Sequence, residues 1–206
     1  MLHVIKHPLL DSKMAIIRNK DTSTKVFNTT VSEIAMLVTY EITRDLKTKE
    51  IEVETPFEKV VCNTLDTNVI ICPILRAGLG MVDGIRSIMP FAKVGHIGMY
   101  RNEKTLEPVE YYFKLPEVTN NTTALLVDPM LATGNSCNKG IELLKSKGVK
   151  NIIYVGLVGC PEGIEAVSKK NPDVELYLVA VDRELSDIGY ILPGLGDCGD
   201  RLFGTK

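Results

Sequence analysis

From Asn68 onward the chain alternates short apolar runs with segments that read as helices. Val69 to Leu75 is apolar without interruption, the pattern of a parallel strand covered on both faces. Met81 to Met89 then reads as a helix stopped before Pro90, and Lys93 to Met99 as the next strand. Ala124 to Val127 is another buried strand, and a helix of about three turns follows from roughly Ser136 to Lys147. Gly148 stands where a helix end favours positive φ. Asn151 to Val158, Pro161 to Lys170 and Val174 to Val181 continue as strand, helix and strand, with proline at the first helical position. This alternation predicts an α/β fold: a mostly parallel sheet flanked by helices, with ligands at the carboxyl ends of its strands.

The flanking segments are less regular. Val31 to Lys47 is a helix by periodicity, since Val31, Ile34, Ala35, Val38, Ile42 and Leu46 recur at three- and four-residue spacing. Its apolar face needs cover from the core or from a second subunit. Residues 1–30 read as polar and irregular, with His7–Leu10 and Met14–Arg18 docking on the domain. Ile51 to Thr55 alternates like a short strand and ends at Pro56. Tyr100 to Tyr112 is polar and aromatic, and reads as a long hairpin or flap. The run Tyr190 to Gly204 is dense in glycine, yet Ile191, Leu192, Leu195, Leu202 and Phe203 give it apolar anchors, so an ordered loop is expected.

A chain of 206 residues suits one domain, 1–206, with appendages: an N-terminal helical extension of about 1–50, a flap of about 99–115 and a C-terminal segment of about 183–206. The net charge of −2 argues against nucleic-acid or anionic-membrane partners. No run approaches the roughly 18 apolar residues that span a bilayer, and the N-terminus lacks the pattern of an export signal. Five widely spaced cysteines without a Cys-x-x-Cys pair predict reduced thiols in a cytoplasmic protein. Three histidines without ligand spacing predict no zinc site.

The chemistry centres on Asp128-Pro129-Met130-Leu131-Ala132-Thr133-Gly134-Asn135-Ser136. A strand that feeds a small-residue loop and then a helix N-terminus makes a phosphate site: backbone N–H groups approach the anion, Thr133 and Ser136 add hydroxyls, and the helix dipole favours negative charge. Thr, Asn and Ser are also ordinary helix caps, which would account for the loop without any ligand. Asp128 would repel a bare phosphate, so accepting hydrogen bonds from sugar hydroxyls or holding a divalent cation gives it a role. The loop thus suggests a sugar phosphate. Neither the P-loop pattern nor Gly-x-Gly-x-x-Gly occurs in place, which lowers ATPase, kinase and dehydrogenase readings. Arg76 after its buried strand, and Arg101 at the flap base, can each grip phosphate oxygens in pairs, or can each pair with a nearby acid. Together with the loop they favour a substrate with two separated phosphates. The glycine-rich tail can bring backbone groups to the edge of a small planar base.

These segments resemble the uracil phosphoribosyltransferase family. Val127 to Gly134, Pro73 to Met81, Gly98-Met-Tyr-Arg101-Asn, Leu106 to Tyr111 and Pro193-Gly-Leu-Gly-Asp197-Cys-Gly-Asp200-Arg201 carry the resemblance, which runs essentially end to end. It implies a type I phosphoribosyltransferase fold with a flap hairpin and a C-terminal base-binding hood. It also implies the conversion of uracil and phosphoribosyl pyrophosphate (PRPP) to UMP and pyrophosphate, with Mg²⁺ and with GTP as a candidate activator. By the same resemblance Asp128 to Ser136 cradle the ribose 5-phosphate, and Arg76 and Arg101 take the pyrophosphate. Ile191, Gly196, Asp197 and Cys198 hold uracil, with Asp197 also facing PRPP. No side chain is expected to ligate the metal directly; it arrives on PRPP near Asp197. A homodimer or higher homo-oligomer is expected.

Two positions depart from the family pattern. Asn135 stands where glycine is usual, and the cradle survives if Asn135 takes left-handed geometry, which asparagine tolerates. Cys198 stands where alanine is usual and is expected to act through its backbone. The rival from another class is a UMP-sensing, RNA-binding regulator of pyrimidine genes on the same fold. It would need a basic face.

Overall fold

The computed structural model describes residues 1–101 and 108–205, the side chain of Arg101 apart. The first part of the chain forms β1 (Leu2–Val4), α1 (Pro8–Arg18), α2 (Thr24–Ile42), β2 (Thr48–Glu54), β3 (Lys59–Leu65), β4 (Asn68–Leu75) and α3 (Leu79–Ile88). There follow β5 (Lys93–Val94), β6 (His96–Arg101), β7 (Pro108–Lys114), β8 (Thr122–Val127), β9 (Met130–Leu131) and α4 (Asn135–Ser146). The last part forms β10 (Asn151–Gly159), α5 (Pro161–Lys170), β11 (Glu175–Val181), β12 (Glu184–Leu185), β13 (Ile191–Leu192) and α6 (Cys198–Phe203).

One sheet runs in the order β1-β11-β10-β8-β4-β6-β7, with β5 beside β4 and β9 beside β10. Its pairings are parallel except that of β6 with β7. The apolar runs are continuous because both faces are covered. In β8, Leu125 and Val127 join the core shared with α1, α2 and α3, whereas Ala124 and Leu126 face the core shared with α4 and α5. The register sets Pro73 of β4 against Val127 of β8, and Val127 against Val155 of β10. Arg76 and Asp128 therefore leave adjacent strands at one sheet edge.

The first thirty residues depart from expectation. They are not irregular: β1 pairs with β11 at the sheet edge, and α1 and the first turns of α2 are regular helix. Short polar caps hid these elements. His7 accepts a hydrogen bond from the Leu9 N–H, Pro8 opens α1, and Ser23 caps α2 by accepting from the Val26 N–H. Helix α2 also ends at Ile42 rather than Lys47, and the Thr43 hydroxyl bonds back to the Thr39 carbonyl at 2.8 Å. Its apolar face, from Phe27 to Val38, is buried against the chain's own core and gives no ground for a subunit contact.

Other features were not anticipated. Strand β3 pairs with β2 in a separate two-stranded sheet that stands off the main one. The glycine-rich tail holds the short helix α6 as well as an ordered loop. Of its expected anchors, Ile191, Leu195 and Leu202 are buried, Leu192 is half-buried and Phe203 is exposed. The five cysteines are free. Among the described residues no helix is long and apolar enough to cross a membrane.

Candidate active site

Asp128 leaves β8 where its N–H still reaches the Val155 carbonyl at 3.2 Å, and Tyr154 Oη donates to the Asp128 carbonyl at 2.8 Å. Both bonds hold the main chain at the wall of the pocket that Asp128 lines. Burial pushes the Asp128 carboxyl up to about 7, against a smaller opposing effect of the Met130 N–H. The next residues are pinned to β10. The Pro129 carbonyl accepts from the Leu157 and Val158 N–H groups, both at 3.0 Å, and Cys160 Sγ contacts the Ala132 carbonyl at 3.2 Å.

Gly134 then turns into α4 with φ 78° and makes no side-chain cap. The expected left-handed residue is thus Gly134, not Asn135, which is already the first helical residue. Thr133 Oγ1 meets the Asn135 N–H only at a long 3.4 Å. The helix start is therefore open to an anion rather than closed by a capping hydroxyl. Gly163 at the start of α5 permits this packing, because a Cβ there would lie 2.2 Å from the Ala132 carbonyl oxygen.

Two cavities meet at this point. One, of about 150 Å³, is lined by Asp128 and Met130 to Cys137, with Pro108 and Gly189 at its sides. The other, of about 400 Å³, is lined by Ala77, Tyr190, Ile191 and Gly196 to Cys198. Asp128, Met130, Ala132 and Gly189 belong to both walls. The site residues anticipated in the loop and the tail thus converge, apart from Pro129, whose buried carbonyl anchors the loop to β10.

Arg76 follows β4 across a cis Leu75–Arg76 peptide. Its Nη2 donates to Asp200 Oδ1 at 3.2 Å, and its guanidinium lies 6.0 Å from the Phe203 ring centre. This is the acid pairing that the sequence left open for Arg76; the side chain remains 55% exposed and lines neither cavity, although its neighbour Ala77 lines the second. Asp197 caps α6, accepting from the Asp200 N–H at 2.8 Å. Cys198 is buried, and burial first, then the Asp128 and Asp197 charges, push its thiol well above the usual range. The Arg101 backbone ends β6 opposite Pro108, while its side chain and the flap tip at 102–107 lie outside the described residues.

Sequence reasoning missed Ala77, Gly189 and Tyr190, which line the cavities, and Tyr154, which fixes Asp128. Only adjacency to quoted motifs could have suggested the first three. Tyr154 sits mid-strand among apolar residues and carried no signal.

A largely parallel sheet flanked by helices, with an uncapped helix N-terminus, an acid-ended strand and a glycine-rich tail meeting at one edge, is the fold of type I phosphoribosyltransferases. Solved structures agree: an adenine phosphoribosyltransferase from Trypanosoma brucei, 11% identical, superposes with a TM-score of 0.61 over 87% of this chain and 83% of its own. The AQ2163 protein from Aquifex aeolicus, 38% identical, superposes at 0.94 over 100% and 99%. The family model for uracil phosphoribosyltransferase matches residues 4–205, and this chain belongs to that family. A curated uracil phosphoribosyltransferase from Acholeplasma laidlawii is 58% identical over 205 residues, covering 100% of this chain and 99% of the relative.

Proposed function

We propose that the chain is a pentosyltransferase that joins the phosphoribosyl group of PRPP to N1 of uracil, giving UMP and pyrophosphate for pyrimidine salvage. The observation that carries this reading is the shared wall of the two cavities: a phosphate-sized pocket at a helix start opens directly into a larger one lined by the glycine-rich tail.

In this reading the 5-phosphate sits at residues 132–136, held by backbone N–H groups and the Thr133 and Ser136 hydroxyls. Asp128 accepts from the ribose hydroxyls. Arg76 and Arg101 take the pyrophosphate, which gains charge as it leaves the sugar C1 while the ribose ring becomes positive. Ile191, Gly196, Asp197 and Cys198 hold the base through backbone groups and align its N1 with C1. The flap of about 99–115 closes over the site and excludes water. No side-chain nucleophile is needed. The domain 1–206 acts as one unit, with the segment of about 1–50 supporting it and that of about 183–206 forming the hood.

Mg²⁺ is the expected cofactor. Asp197, a carboxylate on the wall of the larger cavity, fits an ion that would arrive on PRPP oxygens beside it, with no direct side-chain ligation proposed. Bound there, it neutralises charge on the departing pyrophosphate. A cytoplasmic, oligomeric enzyme fits the free thiols and the hairpin of β2 and β3, on which Phe57 is 96% and Val61 63% exposed. GTP is carried forward as the candidate activator.

The RNA-binding rival lacks support, since net charge is −2 and the curated relatives carry the transferase name. Steady-state assays with PRPP and Mg²⁺, with and without GTP, test the reading. Uracil should turn over; comparable turnover of hypoxanthine, orotate or cytosine would overturn the specificity.

A further inference from the structure

The base-binding tail is held from the far end of the chain. Arg18, the last residue of α1, grips Asp182 with both terminal nitrogens, Nη1 to Oδ2 at 2.8 Å and Nη2 to Oδ1 at 2.7 Å. The same pair encloses one residue of the hood: Arg18 Nη1 donates to the Gly194 carbonyl at 2.8 Å, and the Gly194 N–H donates to Asp182 Oδ2 at 2.8 Å. Both backbone groups of Gly194 are thus bound by one ion pair. Asp182 is buried, and although burial raises its carboxyl, the Arg18 and Gly194 bonds outweigh that and leave it below the usual range. Gly194 cannot be replaced by a side-chain residue here, because its φ is 62° and a Cβ would lie 2.2 Å from the Ile191 carbonyl oxygen.

A second arginine returns the contact. Arg201 of α6 donates to the Ile17 and Asn19 carbonyls at the end of α1 and to the Leu195 carbonyl, at 2.5, 2.6 and 2.6 Å. The loop between Ile191 and Cys198 therefore hangs between two arginine clasps on α1. It is also the loop that lines the larger cavity. The phosphate loop is pinned separately to β10 and shares none of these bonds.

We infer that Arg18 and Asp182 are positioning residues for base recognition, holding the Gly194 peptide so that Gly196 to Cys198 present their backbone edge to the base. This rests on the reading of the larger cavity as the uracil site. The phosphate loop keeps its own anchors on β10, so the effect falls chiefly on the base, Asp197 being the one residue of the clasped loop that also faces PRPP in this reading. Loss of the clasp loosens the base loop and leaves the phosphate loop intact.

The test is a two-substrate kinetic comparison of the full-length protein with its Asp182→Asn and Arg18→Lys variants. Asn keeps the shape of Asp182 but sets an amide donor against the guanidinium or the Gly194 N–H. Lys keeps the charge of Arg18 but not the double contact. KM for uracil should rise about ten- to a hundredfold for Asp182→Asn and less for Arg18→Lys, while KM for PRPP stays within about twofold. Ribose 5-phosphate binding, measured by calorimetry, should be unchanged in both. Parallel rises in both KM values, or an unchanged uracil KM, overturn the inference. Should Asp182→Asn fail to fold, Arg18→Lys decides by the same split. If the wild type does not turn over uracil, the underlying reading fails first; active wild type with flat variants sinks only the clasp.

Discussion

Arg76 Nη2 and Asp200 Oδ1 lie 3.2 Å apart, tying the end of β4 to α6 across 124 residues of sequence. The arginine expected to grip pyrophosphate is thus already tethered to the helix that follows the base loop. Its side chain is 55% exposed, so the tether contributes little to stability. Arg76→Ala should lower kcat/KM by about 10²- to 10³-fold while the melting temperature moves by less than about 3 °C. Arg76→Lys should recover part of the loss, since charge returns without the paired contact. Steady-state kinetics and calorimetry read both.

With PRPP bound as proposed, Asp128 should make stability and PRPP binding pull in opposite directions with pH. Its folded value of about 7 stands above the ordinary 3.8. Between those values the folded chain holds a proton that the unfolded chain has lost, so stability falls as pH rises through the window and is lowest above it. Asp128→Asn removes that penalty, and its melting temperature should exceed wild type at pH 8 and converge with it near pH 4. PRPP affinity should show the reverse in wild type, weakening as pH falls below about 7, with a flatter profile in the variant. Turnover of the variant should drop by about ten- to a hundredfold.

Gly163→Ala sets a Cβ 2.2 Å from the Ala132 carbonyl, against backbone that cannot easily move. The phosphate loop must shift. KM for PRPP should rise severalfold with a stability loss of about 1–3 kcal/mol, visible in denaturant unfolding. An unchanged KM would mean that the loop tolerates displacement.

The hairpin of β2 and β3 presents Val53, Val61 and Phe57 to solvent. Val61→Glu should shift the protein to lower mass in sedimentation velocity, with the fold retained by circular dichroism. A wild-type monomer would remove the proposed role of this surface.

Cys198 is buried and its thiol is held protonated by burial. If only its backbone meets the base, Cys198→Ala should keep kcat and the uracil KM within about twofold. A larger change would give the thiol a part in the pocket.

The strands and the strand–loop–helix unit at Asp128 to Ser136 were legible in the chain because their causes are local. Val69 to Leu75 is apolar throughout since both faces of β4 are covered, and Asp128 through Ser136 carries acid, glycine and hydroxyls within nine positions. Elements with weak local signals were not legible. The start of α2 sets only Phe27 in the core among Thr24 to Thr29, too few apolar positions to show a period, and β1 is three residues long and takes its stability from pairing with β11. Placement of the left-handed turn at Gly134 rather than Asn135 depended on how α4 packs against Gly163.

The amino-acid sequence by itself determined the α/β alternation, the small-residue loop between β8 and α4 and the family, because periodicity, turn chemistry and contiguous motifs act over a few residues. Only the tertiary structure decided that the two cavities share a wall at Asp128, that Arg76 meets Asp200, and that Arg18 and Asp182 enclose Gly194. Those contacts join residues up to 176 positions apart, and hydrogen bonds of that span leave no periodic trace for a linear reading to find.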